Sequence, residues 1–128
     1  GFVMEFIHAP KACASVGPYS HCVKAGSTYY LCGQVPFHPV TGEVVGNGMK
    51  EQAVQTLANM KAVLEAAGLA VTDIAKTTVF VTNMDDFAAF NEVYAAFMGE
   101  HRPARVCVEV SNIAHGCLLE MDAICFKE

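Results

Sequence analysis

The apolar positions of this chain change period several times, and each change marks an element. The stretch "SHCVKAGSTYYLCGQVP" (20–36) reads as two strands around a tight turn at Ala25-Gly26-Ser27, where Gly26 can take a positive φ and Pro36 ends the second strand. "FHPVTGEVVGNG" (37–48) carries Pro39, Gly42, Gly46 and Gly48 and reads as a loop with a Thr41-Gly42 turn. In "MKEQAVQTLANMKAVLEAAG" (49–68) the positions Val54, Leu57, Ala58, Lys61, Leu64 and Ala67 recur at helical spacing, with Glu51 in the first turn and Gly68 after the last. "DIAKTTVFVT" (73–82) is short and β-branched, hence a strand. "NMDDFAAFNEVYAAFMGE" (83–100) is a second helix that Asn83 or Asp85 can cap, with Phe87, Phe90, Tyr94 and Phe97 as a core-facing aromatic stripe. "RVCVEV" (105–110) and "CLLEMDAICF" (117–126) close the chain as strands. The order β-β-α-β-α-β-β predicts an α+β fold, one sheet with two helices packed on one face.

That arrangement leaves the other sheet face bare, and the composition sharpens the point. In a chain of 128 residues, read as a single domain over 1–128, 53% are apolar and only 16% charged. A domain this small hides a limited share of its surface, so a subunit interface is expected to take the apolar surplus. The net charge is -5, and the eight basic residues are scattered without a run, which argues against a nucleic-acid partner. No apolar run is long enough for a membrane span or a secretory signal, so a cytoplasmic location is the expectation. Gly1 and the few residues after it are read as a leftover of expression or a disordered tail, outside the fold.

Six cysteines (Cys13, Cys22, Cys32, Cys107, Cys117, Cys125) lack CxxC spacing, and four of them lie in strand-like segments. Reduced, buried thiols are the expectation, with no metal site. His21, His38, His101 and His115 form no metal spacing and read as loop or surface residues. Arg105 opens an otherwise apolar strand directly after Pro103-Ala104; a guanidinium there needs a wet edge or an anionic partner. That partner is a substrate carboxylate, held by two parallel hydrogen bonds, or a carboxylate such as Glu109, Asp122 or one from a neighbouring subunit. Glu120 points with Leu118, Asp122 and Ile124 in a mostly apolar strand, a setting that raises a carboxyl pKa and suits proton transfer; an exposed face is the alternative. Tyr19 follows Gly17-Pro18 and is either a pocket wall or a turn aromatic, and Cys107 shares Arg105's face without a base adjacent in sequence.

The motifs "GPYS" (17–20), "CGQVP" (32–36), "TGEV" (41–44), "NMKAVLEAAG" (59–68), "KTTVFVTNMDDFAAFNEVYAAF" (76–97), "RPARVCVEV" (102–110) and "LEMDAI" (119–124) occur in that order. Together they resemble the Rid (YjgF) family of reactive-intermediate deaminases, from about Ala9 to Phe126. The resemblance implies a chorismate-mutase-like fold and a homotrimer whose sheets form a central barrel, with sites between subunits. It implies hydrolysis of 2-imino or enamine acids, such as 2-iminobutanoate and 2-iminopropanoate, to 2-oxo acids and ammonia, with no cofactor. Arg105 matches the family's carboxylate-gripping arginine and Glu120 its glutamate beside the attacking water. Tyr19, Cys32, Gly33, Asn91 and Cys107 match positions that line the substrate pocket.

Two departures stand out. Cys32 replaces a serine common in the family, a weaker hydrogen-bond donor, and "SNIAHGC" (111–117) lacks the usual proline-containing loop beside Glu120. Relatives are also described as endoribonucleases or translation inhibitors, and as non-catalytic binders or oxidation-activated chaperones. The acidic balance speaks against the first, and the presence of Arg105 favours the enzyme over the second.

Overall fold

Gly26 adopts φ +64°, the left-handed value that primed two-residue hairpin turns require, and the sheet grows from that hairpin. The computed structural model of the protein describes residues 3–128. Its strands are β1 (Met4–Ile7), β2 (Cys22–Ala25), β3 (Thr28–Gln34), β4 (Ile74–Val81), β5 (Ala104–Glu109) and β6 (Leu119–Phe126). The helices are α1 (Met49–Ala66) and α2 (Phe87–Met98). One six-stranded sheet runs in the order β1-β2-β3-β6-β4-β5. Only β4 and β5 pair in parallel, because α2 carries the chain back across the sheet between them; the other neighbours are antiparallel.

The first strand corrects the expectation for the N-terminus. Met4 to Ile7 pair with Ala25 to Cys22 and extend the sheet by one strand, while Gly1 and Phe2 lie outside the described residues. The sequence gives little sign of this strand. It is four residues long, and its side chains are largely exposed, so backbone pairing rather than burial holds it.

The core lies between the sheet and the two helices. Leu119, Met121, Ala123 and Cys125 of β6 and Thr77, Val79 and Val81 of β4 point toward α1 and α2. In α2, Phe90, Tyr94 and Met98 are buried, and Tyr94 Oη bonds Thr77 Oγ1 at 2.8 Å, tying the helix to the sheet. Phe87 and Phe97 are only half-buried. Asn83 is the capping residue, but it caps a short turn over Met84–Asp86 ahead of α2, accepting from Asp85 N–H at 2.9 Å.

The buried face of α1 differs from the expected one. Leu57 and Leu64 are buried, but Val54, Ala58 and Lys61 face solvent, and Gln52, Ala53, Thr56, Asn59, Met60 and Val63 take the inner positions. Three polar side chains therefore sit inside, and two of them are explained by hydrogen bonds to loops. Asn59 Nδ2 donates to Val35 O at 2.9 Å and Phe37 O at 2.8 Å. Gln52 donates to Gly46 O at 3.0 Å and accepts from Leu118 N–H at 2.8 Å. An apolarity count misses this face because the loops over 35–48 need partners for their carbonyls.

The other sheet face carries no helix. Phe6, Val23, Tyr30 and Ile124 are register partners in one row across four strands. Phe6 is 66% exposed, Val106 43% and Val108 40%. This is the bare apolar face that the element order and composition lead one to expect.

Asn59→Leu should lower unfolding free energy by at least about 2 kcal/mol, since it orphans two loop carbonyls. Urea denaturation measures this; a loss below about 1 kcal/mol would mean that water satisfies those carbonyls instead.

Candidate active site

Strand β5 is one of the two edges of the sheet, and Arg105 is its second residue, paired with Thr77 of β4. Thr77 faces the helices, so Arg105 does too. Its Nη1 donates to Asn91 Oδ1 on α2 at 2.8 Å. The guanidinium carbon lies 4.8 Å from the Tyr94 ring centre and 5.2 Å from that of Phe87. Aromatic faces and one amide thus hold a half-buried cation without neutralising it. Arg105 has no carboxylate within ion-pair distance among the described residues, where the one such pair is the exposed Lys50–Glu92 at 2.9 Å. Glu109 is engaged elsewhere, accepting from Met84 N–H at 2.8 Å, and Asp122 lies on the opposite sheet face. Cys107 follows on Arg105's face; burial pushes its thiol pKa up, while the Arg105 charge pulls it down. A cleft of about 420 Å³ opens here, lined by residues that include Asn91, Tyr94, Met98, Arg102 and Arg105, with no carboxylate in its wall.

The second cluster sits where β3 departs from regular pairing. Leu31 pairs with Ala123 but Gln34 pairs with Met121, so Cys32 and Gly33 together oppose Asp122 in a β-bulge. The bulge brings the Gly33 backbone under the Glu120 side chain. A Cβ at Gly33 would lie 3.0 Å from the Glu120 carboxyl carbon and would collide with its Oε2. With glycine there the carboxylate occupies that space, and any larger residue would push the Glu120 side chain aside. Burial, with Asp122 adding, raises the Glu120 pKa above the ordinary carboxylate value. Cys32 Sγ accepts from Gln34 Nε2 at 3.1 Å, and burial raises this thiol's pKa as well. Tyr19 is 51% exposed and shares a small cleft with Cys32, Gly33, His21 and Phe37. The Tyr19 ring packs close over Gly17, where a Cβ would come within 3.1 Å of it.

His21 is neither a loop nor a surface residue. It is buried, its Nδ1 accepts from Ala9 N–H at 2.8 Å, and its Nε2 therefore carries the proton and donates to Cys13 O at 2.8 Å. Those bonds pin the segment over 9–19 that delivers Tyr19, and the His8 ring stacks on it at 4.8 Å. His101 is half-buried and bonds Ile74 O at 2.7 Å, while His38 organises its own turn. His115 is exposed, at φ +58° in the loop beside Glu120. All six cysteines are free thiols, with burial pushing Cys22 to about 11 and Cys125 to about 12.

The structure thus brings Arg105, Asn91 and Cys107 together, and separately Tyr19, Cys32 and Gly33, with the Glu120 carboxylate against Gly33 but lining a neighbouring cleft beside Phe80 and Asn112. It does not bring the two groups together in one chain. Arg105 shares the helix-covered face with Thr77, whereas Glu120 pairs with Phe80, which pairs with Val108 on the bare face. Sequence reasoning overlooked Gln34, which holds Cys32, and Phe87 as a wall of the arginine site. The first had a signal in "GQ"; the second was masked by its place in a core-like stripe.

A sequence model of the family described as Endoribonuclease L-PSP matches residues 8–127. A RutC family protein of Pyrococcus horikoshii is 48% identical, over 97% of this chain and 98% of that protein. The 2-iminobutanoate/2-iminopropanoate deaminase of Escherichia coli K12 is 45% identical, over 94% and 96%. The crystal structure of E. coli TdcF with bound serine superposes with TM-score 0.91 at 41% identity, over 97% of this chain and 99% of that one.

The Glu120 shift has a consequence for stability. With the folded pKa above the unfolded value, the folded state binds the extra proton, so stability falls as pH rises through that window. Glu120→Gln should therefore be more stable than the parent at about pH 7.5, with the gain vanishing at about pH 4, below the unfolded pKa. Chemical denaturation at the two pH values tests this, and an equal gain at both would assign it to packing instead.

Proposed function

The chain belongs to the endoribonuclease L-PSP (YjgF/Rid) family, and from that premise we propose that it hydrolyses 2-imino acids to 2-oxo acids and ammonia. The observation that carries this reading is Arg105: a half-buried guanidinium, oriented by Asn91 and two aromatic rings, with no carboxylate among the described residues within ion-pair distance. A substrate α-carboxylate supplies the missing anion through two parallel hydrogen bonds.

The rest follows from the chemistry of an iminium carbon, which is already electrophilic. Glu120 positions a water molecule and takes its proton as the oxygen attacks C2. Its raised pKa makes it a stronger base than an ordinary carboxylate. Glu120 then returns that proton to the nitrogen of the tetrahedral carbinolamine, the hydroxyl gives up its own proton as the C–N bond breaks, and ammonia leaves a 2-oxo acid. Tyr19, Cys32 and Gly33 wall the Glu120 side; Asn91 and Cys107 flank the arginine. Since Arg105 and Glu120 lie on opposite sheet faces, the working site forms between copies of the chain, with Arg105 from one subunit and Glu120 from the next. The uncovered apolar face and the free β5 edge support such an assembly, taken here as a homotrimer.

The test is a coupled assay in which a threonine dehydratase generates 2-iminobutanoate and the formation of 2-oxobutanoate is followed. The parent protein should accelerate it. Arg105→Ala should fall to the uncatalysed rate and Glu120→Gln should lose about 10²- to 10⁴-fold, both with the parent's oligomeric state on a sizing column. Full activity in Arg105→Ala would overturn the carboxylate clamp.

A further inference from the structure

The cleft beside Arg105 holds a second guanidinium that the reaction above leaves unused. Arg102 lines the same cavity of about 420 Å³, just beyond the C-terminal end of α2. Its Nη1 donates to Gly99 O at 2.6 Å and His101 O at 2.9 Å, which caps the helix and fixes the side chain. Its Nη2 and Nε make no hydrogen bond to the described residues, so the outer edge of the fork remains available. Two cations brought to one cavity repel unless an anion lies between or beside them. In a chain of net charge -5 with eight basic residues, this cavity gathers two of them and no carboxylate. Between them the wall is apolar or aromatic: Tyr94, Ala95, Met98 and Pro103.

We propose that the preferred substrates are 2-imino dicarboxylic acids, with the α-carboxylate on Arg105, the distal carboxylate on Arg102, and the methylene chain along Tyr94, Met98 and Pro103. This rests on the deaminase reading and adds to it a substrate class. The arginines are three residues apart, so their Cα atoms lie no more than about 10 Å from each other, and both side chains line the one cleft. Arg102 is exposed, so its ion pair is screened and its effect modest. The bonds made and broken at C2 are those already described; the second carboxylate takes no part in them.

Two measurements separate this proposal from its premise. The first is turnover of iminosuccinate, generated by an aspartate oxidase, against 2-iminobutanoate, in the parent and in Arg102→Met. The second is calorimetric binding of 2-oxoglutarate against 2-oxobutanoate, which needs no catalysis. In Arg102→Met the diacid-to-monoacid binding ratio should fall about fivefold, the upper end of what one exposed ion pair supplies, and Arg102→Lys should keep most of it. An unchanged ratio in well-folded Arg102→Met overturns the diacid site, whatever the turnover. Should Arg102→Met fail to fold, a parent protein that binds 2-oxoglutarate no better than 2-oxobutanoate overturns it equally. Binding that shifts as expected while neither imine is hydrolysed overturns the deaminase reading and leaves the diacid site standing.

Discussion

A sheet with helices on one face only is the constraint from which the other features follow. Two helices suffice to bury β6 and β4 from one side, and the chain has nothing left for the other. The bare face is then apolar at Phe6, Tyr30, Val106 and Val108, which a lone subunit would leave in water at a cost. The same geometry distributes the polar chemistry. Alternation along a strand sends neighbours to opposite faces, so β5 puts Arg105 and Cys107 under α2 while sending Val106 and Val108 outward. On β6 it buries Met121 and turns Glu120 and Asp122 the other way. A cation and a carboxylate that would neutralise each other on a shared face are kept apart, and each retains its unpaired character.

The two charged groups are prepared in contrasting ways. Arg105 is held by groups that orient a cation without cancelling it: an amide oxygen and two aromatic faces. Glu120 is held by steric accommodation. The β3 bulge presents a residue without a side chain, and the carboxylate fills the space where a Cβ would stand. Its pKa rises because burial and Asp122 both disfavour its charge. One group is a cation held in place by an amide and two rings, and the other is a carboxyl group whose proton affinity the fold raises. That combination suits a reaction in which a carboxylate is recognised and a proton is moved.

Much of this is legible in the sequence. The β-branched run at 73–82, the alternation at 105–110 and the period-3.6 runs of the two helices predict the elements between β2 and β6, and a strand-opening arginine after a proline raises the question of its partner. The resemblance carried by "RPARVCVEV" and "LEMDAI" placed Arg105 and Glu120 together in one site; neither shows that the two lie on opposite sheet faces. What escapes the sequence is structure held by backbone or by buried polar bonds. Strand β1 pairs through its main chain with exposed side chains. The inner face of α1 includes Gln52 and Asn59, whose burial depends on loop carbonyls far away in sequence. His21 looks like a surface residue until its two ring nitrogens are seen bridging Ala9 and Cys13. Each of these depends on a partner at a distance that no local period records.

Cys32, which departs from the serine that the family resemblance leads one to expect, finds a partner of its own beside the bulge. A buried hydroxyl there would require a donor and an acceptor to be satisfied. A thiol asks for less, and Gln34 Nε2 supplies a hydrogen bond to the sulfur at 3.1 Å. Beside a carboxylate whose charge is already disfavoured by burial, a weaker dipole changes the local field little. Burial and the nearby carboxylates also hold the thiol in its neutral form, which makes it a poor nucleophile. Cys32 therefore shapes the Glu120 side of the pocket as a soft, weakly polar wall. On the proposed reading, the reactive work falls to water, directed by Glu120, and to the carboxylate grip of Arg105.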